Sequence, residues 1–312
     1  MASRDSETHE APQDRVVLIL GATGYVGGLL LAELQKRRVK VRCLARTPEK
    51  LQAAVDAGVQ VIQGDVLETH SLDKAVEGVQ TAYYLVHRMS GTRDFEQEDR
   101  QAAENFGSAA KKAGVQRIIY LGGLGLDSDP DLSPHLRSRH EVGQILRNSG
   151  VETLELRAGM VLGAGSASYQ LMKSLTDRLP VMLCPVWLTT ATQPIAVDDV
   201  LAYLLAAGEL PPGESRVFEV GGTDVVTYGD LIQEYARQKG LRRWLIFVPV
   251  LTPYLSGLWL ALVTPASFEV GRHLIEGLKN PTVVRDRSAL DTFAVRPMGV
   301  KEAIRLAIGT AK

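Results

Sequence analysis

The sequence has only two cysteines, Cys43 and Cys184, far apart and without metal-ligand spacing. That excludes a disulfide framework and points to buried thiols in a reducing cytosol. Its six histidines are scattered and make no metal motif. Charge of neither sign dominates: the formal net charge is −1 and the pI about 6.6, which leaves no basic stripe for nucleic acid. A clean apolar run of roughly twenty residues, the length that spans a bilayer, is also missing. The nearest stretch, Trp244 to Thr264, is broken by Pro249 and Pro253, followed by Pro265, and diluted by Thr252, Ser256 and Gly257. It reads as a helix that packs, or that docks on a membrane surface or another protein. Residues 1–14 are polar, include Pro12 and lack the apolar centre of a signal peptide. A disordered lead-in is therefore expected, on a cytoplasmic protein whose one route to a membrane is the Trp244 segment.

What is present centres on Gly21-Ala22-Thr23-Gly24-Tyr25-Val26-Gly27, set between the apolar run Val16 to Leu20 and the helical pattern from Leu29 to Leu34. Strand, glycine turn and helix is the order that a dinucleotide site needs. Gly21 permits the tight turn, Gly24 lets backbone N–H groups approach a pyrophosphate, and Gly27 lets the helix pack closely on the sheet. The spacing is G-x-x-G-x-x-G, so its context carries the inference more than the glycines do.

The pattern then repeats. Strands are predicted at Val39–Leu44, Val59–Gln63, Thr81–Val86, Val115–Leu121 and Glu152–Leu156, and helices at Pro48–Ala57, Ser71–Val76, Asp94–Ala113 and Pro134–Asn148, with a loop over Gly122–Pro130. This alternation predicts an α/β fold, a doubly wound parallel sheet of Rossmann type over residues 15–165. Ligands of such sheets bind outside the C-terminal strand ends. Beyond that the rhythm loosens into a smaller, mostly helical lobe over 166–312, integrated with the core and placed to cover the crevice. Its predicted elements are helices at Ser168–Leu179, Asp199–Gly208, Tyr228–Lys239, Phe268–Leu278 and Val300–Ala307, with one short strand at Val217–Val220. Asp198 and Asp199 read as N-cap residues, and Gly221-Gly222-Thr223 as a loop bordering a pocket.

The second strand ends Leu44-Ala45-Arg46-Thr47, with no acid to hold a ribose 2′-hydroxyl. Arg46 in that position accepts a 2′-phosphate and favours NADP over NAD. Asp65, in Gly64-Asp65-Val66 after the third strand, has two readings: it accepts from the adenine amino group, or it is a turn or N-cap aspartate.

The glycine turn, Arg46, Gly64-Asp65 and Pro194-Ile195-Ala196-Val197-Asp198-Asp199-Val200 together resemble the atypical short-chain dehydrogenase/reductase superfamily, of the NmrA-like and extended type. Tyr84-Leu85-Val86-His87-Arg88-Met89 and the apolar C-terminal segment are similar to a bacterial subgroup of NAD(P)-binding proteins, itself similar to an accessory subunit of respiratory complex I. The resemblance implies cofactor contacts at Leu85, Val86 and His87, at Gly122 and Arg139, and in the turn Arg157 to Gly163 at Val161. It also implies a Tyr-x-x-x-Lys pair on the helix after the fifth strand, with a Ser at that strand's end. Here His135 stands at the tyrosine position, Arg139 at the lysine position, and Gly122-Gly123 at the serine. Either His135 donates a proton, with Arg139 holding ribose or a substrate anion and His87 facing the same crevice, or these are ordinary polar residues and the nucleotide is bound without reacting. Two functions follow: an NADP(H)-dependent oxidoreductase acting on a small carbonyl or enoyl substrate, or a non-catalytic NADP(H)-binding structural or redox-sensing protein.

Overall fold

The computed structural model describes residues 15–87, 95–248 and 279–310. The expected lead-in (1–14) and the Phe268–Leu278 helix lie outside the described residues.

Seven parallel strands form the central sheet in the order β11-β6-β5-β4-β1-β2-β3. They are β1 (Val16–Leu20), β2 (Lys40–Ala45), β3 (Gln60–Gln63), β4 (Val79–Tyr84), β5 (Arg117–Gly123), β6 (Glu152–Ala158) and β11 (Arg216–Val220). Side chains alternate between the faces of a strand, so an unbroken apolar run must be covered on both. In β1, Val17 and Ile19 join one core while Leu18 and Leu20 join the other. The first core includes Leu30, Leu31 and Leu34 of α1 (Tyr25–Lys36) and Val200, Leu201 and Leu204 of α7 (Val197–Glu209). The second takes Leu72 and Val76 from α3 (Thr69–Val76), Phe106 from α4 (Phe95–Ala113) and Leu146 from α5 (Pro134–Arg147). The predicted helix at Pro48–Ala57 begins as a 3₁₀ turn, Pro48–Leu51, before α2 (Gln52–Asp56).

Several expectations are corrected. The strand predicted at Val217–Val220 is the seventh strand of the main sheet, paired in parallel with β6, so the chain returns from the lobe to finish the core. The region given as a loop from Gly122 begins as strand, because β5 runs on through Gly123 and pairs with Ala158. Asp198 and Asp199 are not N-caps: Ala196 is the cap of α7, and the Asp199 carboxylate accepts from Met298 N at 2.8 Å. The first residues of the Trp244 segment are not helical. Trp244–Val248 is strand β13, paired in parallel with β8 (Val181–Pro185), and the remainder of the segment lies outside the described residues. Among the described residues no helix is long and apolar enough to cross a membrane.

The lobe carries its own core, in which Met160, Tyr169, Met182, Leu231, Tyr235 and Ile304 pack together. There α8 (Tyr228–Gln238) packs against both α6 (Ala167–Arg178) and the C-terminal helix Val300–Gly309. Two short two-stranded pairs lie outside the main sheet: β7 (Val161–Leu162) with β10 (Ile195–Ala196), and β9 (Ala191–Thr192) with β12 (Val226–Thr227).

Candidate active site

The turn after β1 has the backbone a dinucleotide requires. Gly21 adopts φ +96°, and a Cβ there would stand 2.7 Å from the Leu85 carbonyl oxygen, so only glycine fits. Gly24 N donates to Gly21 O at 3.0 Å and closes the turn. A Cβ on Gly27 would collide with the Gly21 carbonyl, which explains the helix packing read from the sequence. Gly24 caps α1 without a side-chain hydrogen bond, and the first turn holds no acid. The leading N–H groups of α1 and the positive end of its dipole therefore face outward, as a pyrophosphate demands.

That turn opens onto a cavity of about 450 Å³ at the C-terminal strand ends. It brings together Gly21, Gly24, Tyr25, Val26, Gly27, Leu85, His87, Gly122, His135, Arg139 and Val161 among the residues singled out in the sequence. Six others lie apart from it. Ala22 is in the core behind the turn and Thr23 is exposed on it. Val66 is buried in the second core, and Val86 packs against that core. Arg46 is exposed just beyond β2. Asp65 Oδ1 accepts from Leu67 N at 3.1 Å, the turn role, whereas the cap of α3 is Glu68.

Helix α5 presents His135 and Arg139 one turn apart, so both reach the cavity. Ser133 caps it, accepting from Leu136 N. Arg139 Nη1 donates to Leu121 O at 2.9 Å, while its Nε is buried with no hydrogen-bond partner, a donor that a ribose hydroxyl would satisfy. The His87 and His135 rings meet edge to face with centroids 6.0 Å apart. Burial holds His87 well below its ordinary value, and the charge of Arg139 and the neighbouring His135 add to the effect. His87 is thus a neutral imidazole at pH 7, a hydrogen-bonding group and not an acid.

Other wall residues escaped the sequence reading. One is Gly165, where any Cβ would strike the Tyr25 ring. Ser166, Ser168, Tyr228 and Thr282 line the far side. The Gly221-Gly222-Thr223 loop does not: Gly222 N donates to Pro194 O at 2.8 Å and Thr223 N to Met298 O at 3.2 Å, and both bonds tie the loop to the lobe. Beneath the cavity floor, Glu155 and Arg157 of β6 form a buried pair at 2.7 Å, with Asp127 and Arg147 completing the network. The E-x-R spacing within a buried strand, which puts both side chains on one face, was the available signal.

The profile of a family described as NAD(P)H-binding matches residues 21–180. The chain belongs to the NAD(P)H-binding family. Among curated proteins, this NAD(P)H-binding protein is 27% identical to the (4-alkanoyl-5-oxo-2,5-dihydrofuran-3-yl)methyl phosphate reductase of Streptomyces griseus, over 72% of this chain and 74% of that one. It is 25% identical to the photosystem II assembly factor Ycf39 of Cyanophora paradoxa, over 84% and 79% of the two chains. Among solved structures, the NADPH-dependent quinone oxidoreductase QOR2 of Escherichia coli, complexed with NADPH, superposes with a TM-score of 0.72 at 20% identity, covering 93% of this chain and 98% of that one. The last comparison establishes the shared fold.

Proposed function

We propose that this NAD(P)H-binding protein is an NADP(H)-dependent oxidoreductase of the atypical short-chain type, moving hydride between the nicotinamide and a small carbonyl or enoyl substrate. One observation carries the reading: a single cavity joins the glycine turn to His135, His87 and a set of hydroxyls from the lobe. Its volume is in the range of small-molecule sites. The relatives include a phosphate-ester reductase and, in fold, a quinone oxidoreductase with NADPH bound.

The nicotinamide, when bound, supplies the hydride. The protein does the rest. The α1 N-terminus orients the pyrophosphate, Arg46 pairs with the 2′-phosphate, and the free Nε of Arg139 holds the ribose. His135 donates the proton to the substrate oxygen, since neutral His87 beside it is not an acid at working pH. The test is NADPH consumption with a panel of aldehydes, ketones, enones and quinones. A chain that binds NADPH yet reduces none of them loses this assignment.

One feature favours a second reading, a nucleotide-binding protein that docks on a partner or membrane surface. Val181 and Leu183 of β8 lie beside Trp244 and Ile246 of β13, all four exposed on one face, with Trp244 at 67%. A soluble two-stranded edge ordinarily shows water a polar face. Co-sedimentation with anionic vesicles, present in the wild type and lost in Trp244→Ser/Ile246→Ser, would support this reading; no sedimentation with lipid would remove its membrane form.

A further inference from the structure

The two sides of the cavity differ in chemistry. His87, His135 and Arg139 stand on the α5 and glycine-turn side. The lobe side is made of Met160, Ala167, Ser166, Ser168, Tyr228 and Thr282, and among the described lining residues there it has no Asp, Glu, Lys or Arg. The polar side chains among the described residues of that side are four hydroxyls.

These hydroxyls are fixed. Thr192 Oγ1 and Thr282 Oγ1 lie 2.8 Å apart, both buried, and Tyr228 lines the cavity beside this pair. Backbone bonds from Gln193 N to Thr282 O at 2.7 Å and from Thr282 N to Ala191 O at 3.1 Å set the threonines in place. Tyr228 is only 8% exposed and starts α8 within the Thr227–Asp230 capping box, so its backbone is pinned as well. Ser166 Oγ and Ser168 Oγ lie 3.3 Å apart on the same wall. A hydroxyl proton turns about its C–O bond, so Tyr228 can aim its hydrogen at an entering oxygen.

We infer that the Tyr228–Thr282–Thr192 cluster is an oxygen-binding subsite, and that the lobe end of the cavity takes an uncharged substrate moiety bearing a hydrogen-bond acceptor. The inference rests on the reductase reading for its context and adds the substrate class. Neutral donors repay the desolvation of a carbonyl, ether or hydroxyl oxygen, but they do not repay that of a carboxylate or phosphate, which needs a cation. Burial pushes the Tyr228 phenol above its ordinary value and keeps it a donor. Tyr228 acts here as a positioning and specificity residue, with proton donation left to His135.

The test measures binding to the protein–NADP⁺ complex, where nothing turns over. Neutral aldehydes and ketones, each paired with its carboxylate-bearing analogue, are titrated by saturation-transfer NMR against wild type, Tyr228→Phe and Thr282→Val. The expected result is a tighter Kd for the neutral member of each pair, and about a tenfold loss of that affinity in Tyr228→Phe, the size of one net hydrogen bond. NADPH affinity is unchanged in both variants and reports that they are folded. For any acceptor that turns over, Tyr228→Phe raises KM and leaves kcat within a few-fold. Carboxylates that bind as tightly as their neutral partners, a Tyr228→Phe variant with undiminished affinity, or no binding by any neutral member overturns the subsite. Absence of NADPH consumption alongside normal ligand binding overturns the reductase reading and leaves the subsite standing.

Discussion

Asn280 Oδ1 accepts a hydrogen bond from the Ser133 backbone N–H at 3.0 Å, across 147 residues of sequence. Ser133 is the N-cap of α5, the helix that carries His135 and Arg139. The Asn280 amide also donates to Asp129 Oδ2 at 3.0 Å and Asp131 O at 3.1 Å. A buried side chain from the C-terminal lobe therefore sets where the helix starts. Replacing Asn280 by Ala strands these partners and should cost about 2 kcal/mol of unfolding free energy. Asn280→Asp should be at least as costly near neutral pH, because it places a second carboxylate beside Asp129. Urea denaturation of the two variants checks both values.

In the proposed function, cofactor choice depends on Arg46, exposed beyond β2 with no acid at the strand end. Arg46→Ala should weaken NADPH binding by about ten- to a hundredfold, the range of a charge-assisted hydrogen bond, and leave NADH binding nearly unchanged. Fluorescence titration with both nucleotides measures the ratio. Equal losses for the two would remove Arg46 from the 2′-phosphate.

Stability should fall on the acid side. His87 and His140 are both held below their ordinary value of 6.5, chiefly by burial. A histidine whose folded pKa is depressed takes up its proton more readily in the unfolded chain. The folded state is thus fully favoured above 6.5 and loses ground as the pH drops from 6.5 toward the folded values. The slope approaches about 1.4 kcal/mol per pH unit for each such histidine. His87→Gln should flatten the curve by the share of one histidine, as read from chemical denaturation at a series of pH values.

The Glu155 carboxylate is fully buried, and Arg157 and Arg147 meet it from β6 and α5. Glu155→Ala leaves the two cations without that partner and should destabilise by about 3–5 kcal/mol. Adding Arg157→Ala should recover part of the loss, and the double-mutant cycle gives the coupling. A Cβ at Gly143 would enter the space of the same carboxylate, so Gly143→Ala should also lower Tm.

Local pattern was enough for the sheet and the cofactor turn. The unbroken Val16–Leu20 run, the glycines at 21, 24 and 27 and the alternating strands and helices each act through neighbours in sequence, by backbone conformation and periodicity. Trp244–Val248 was misread for the complementary reason. A short apolar run suits a strand as well as a helix, and only β8 lying alongside decides between them. Asp199 suits a cap by type, yet its carboxylate finds Met298 N, 99 residues away.

The sequence by itself determined the glycine turn at Gly21 to Gly27 and the helix N-terminus behind it, the frame a dinucleotide site needs, because a turn that tolerates only glycine before a helix N-terminus is a local property of the chain. The tertiary structure decided what faces that turn across the cavity. Tyr228 opens a helix legible in the sequence and Thr282 lies outside any predicted element, yet both reach the cavity through pairing with β9, while Asn280 crosses to the start of α5. Contacts between residues so distant in sequence leave no mark on the composition of either segment, so only the packed fold specifies them.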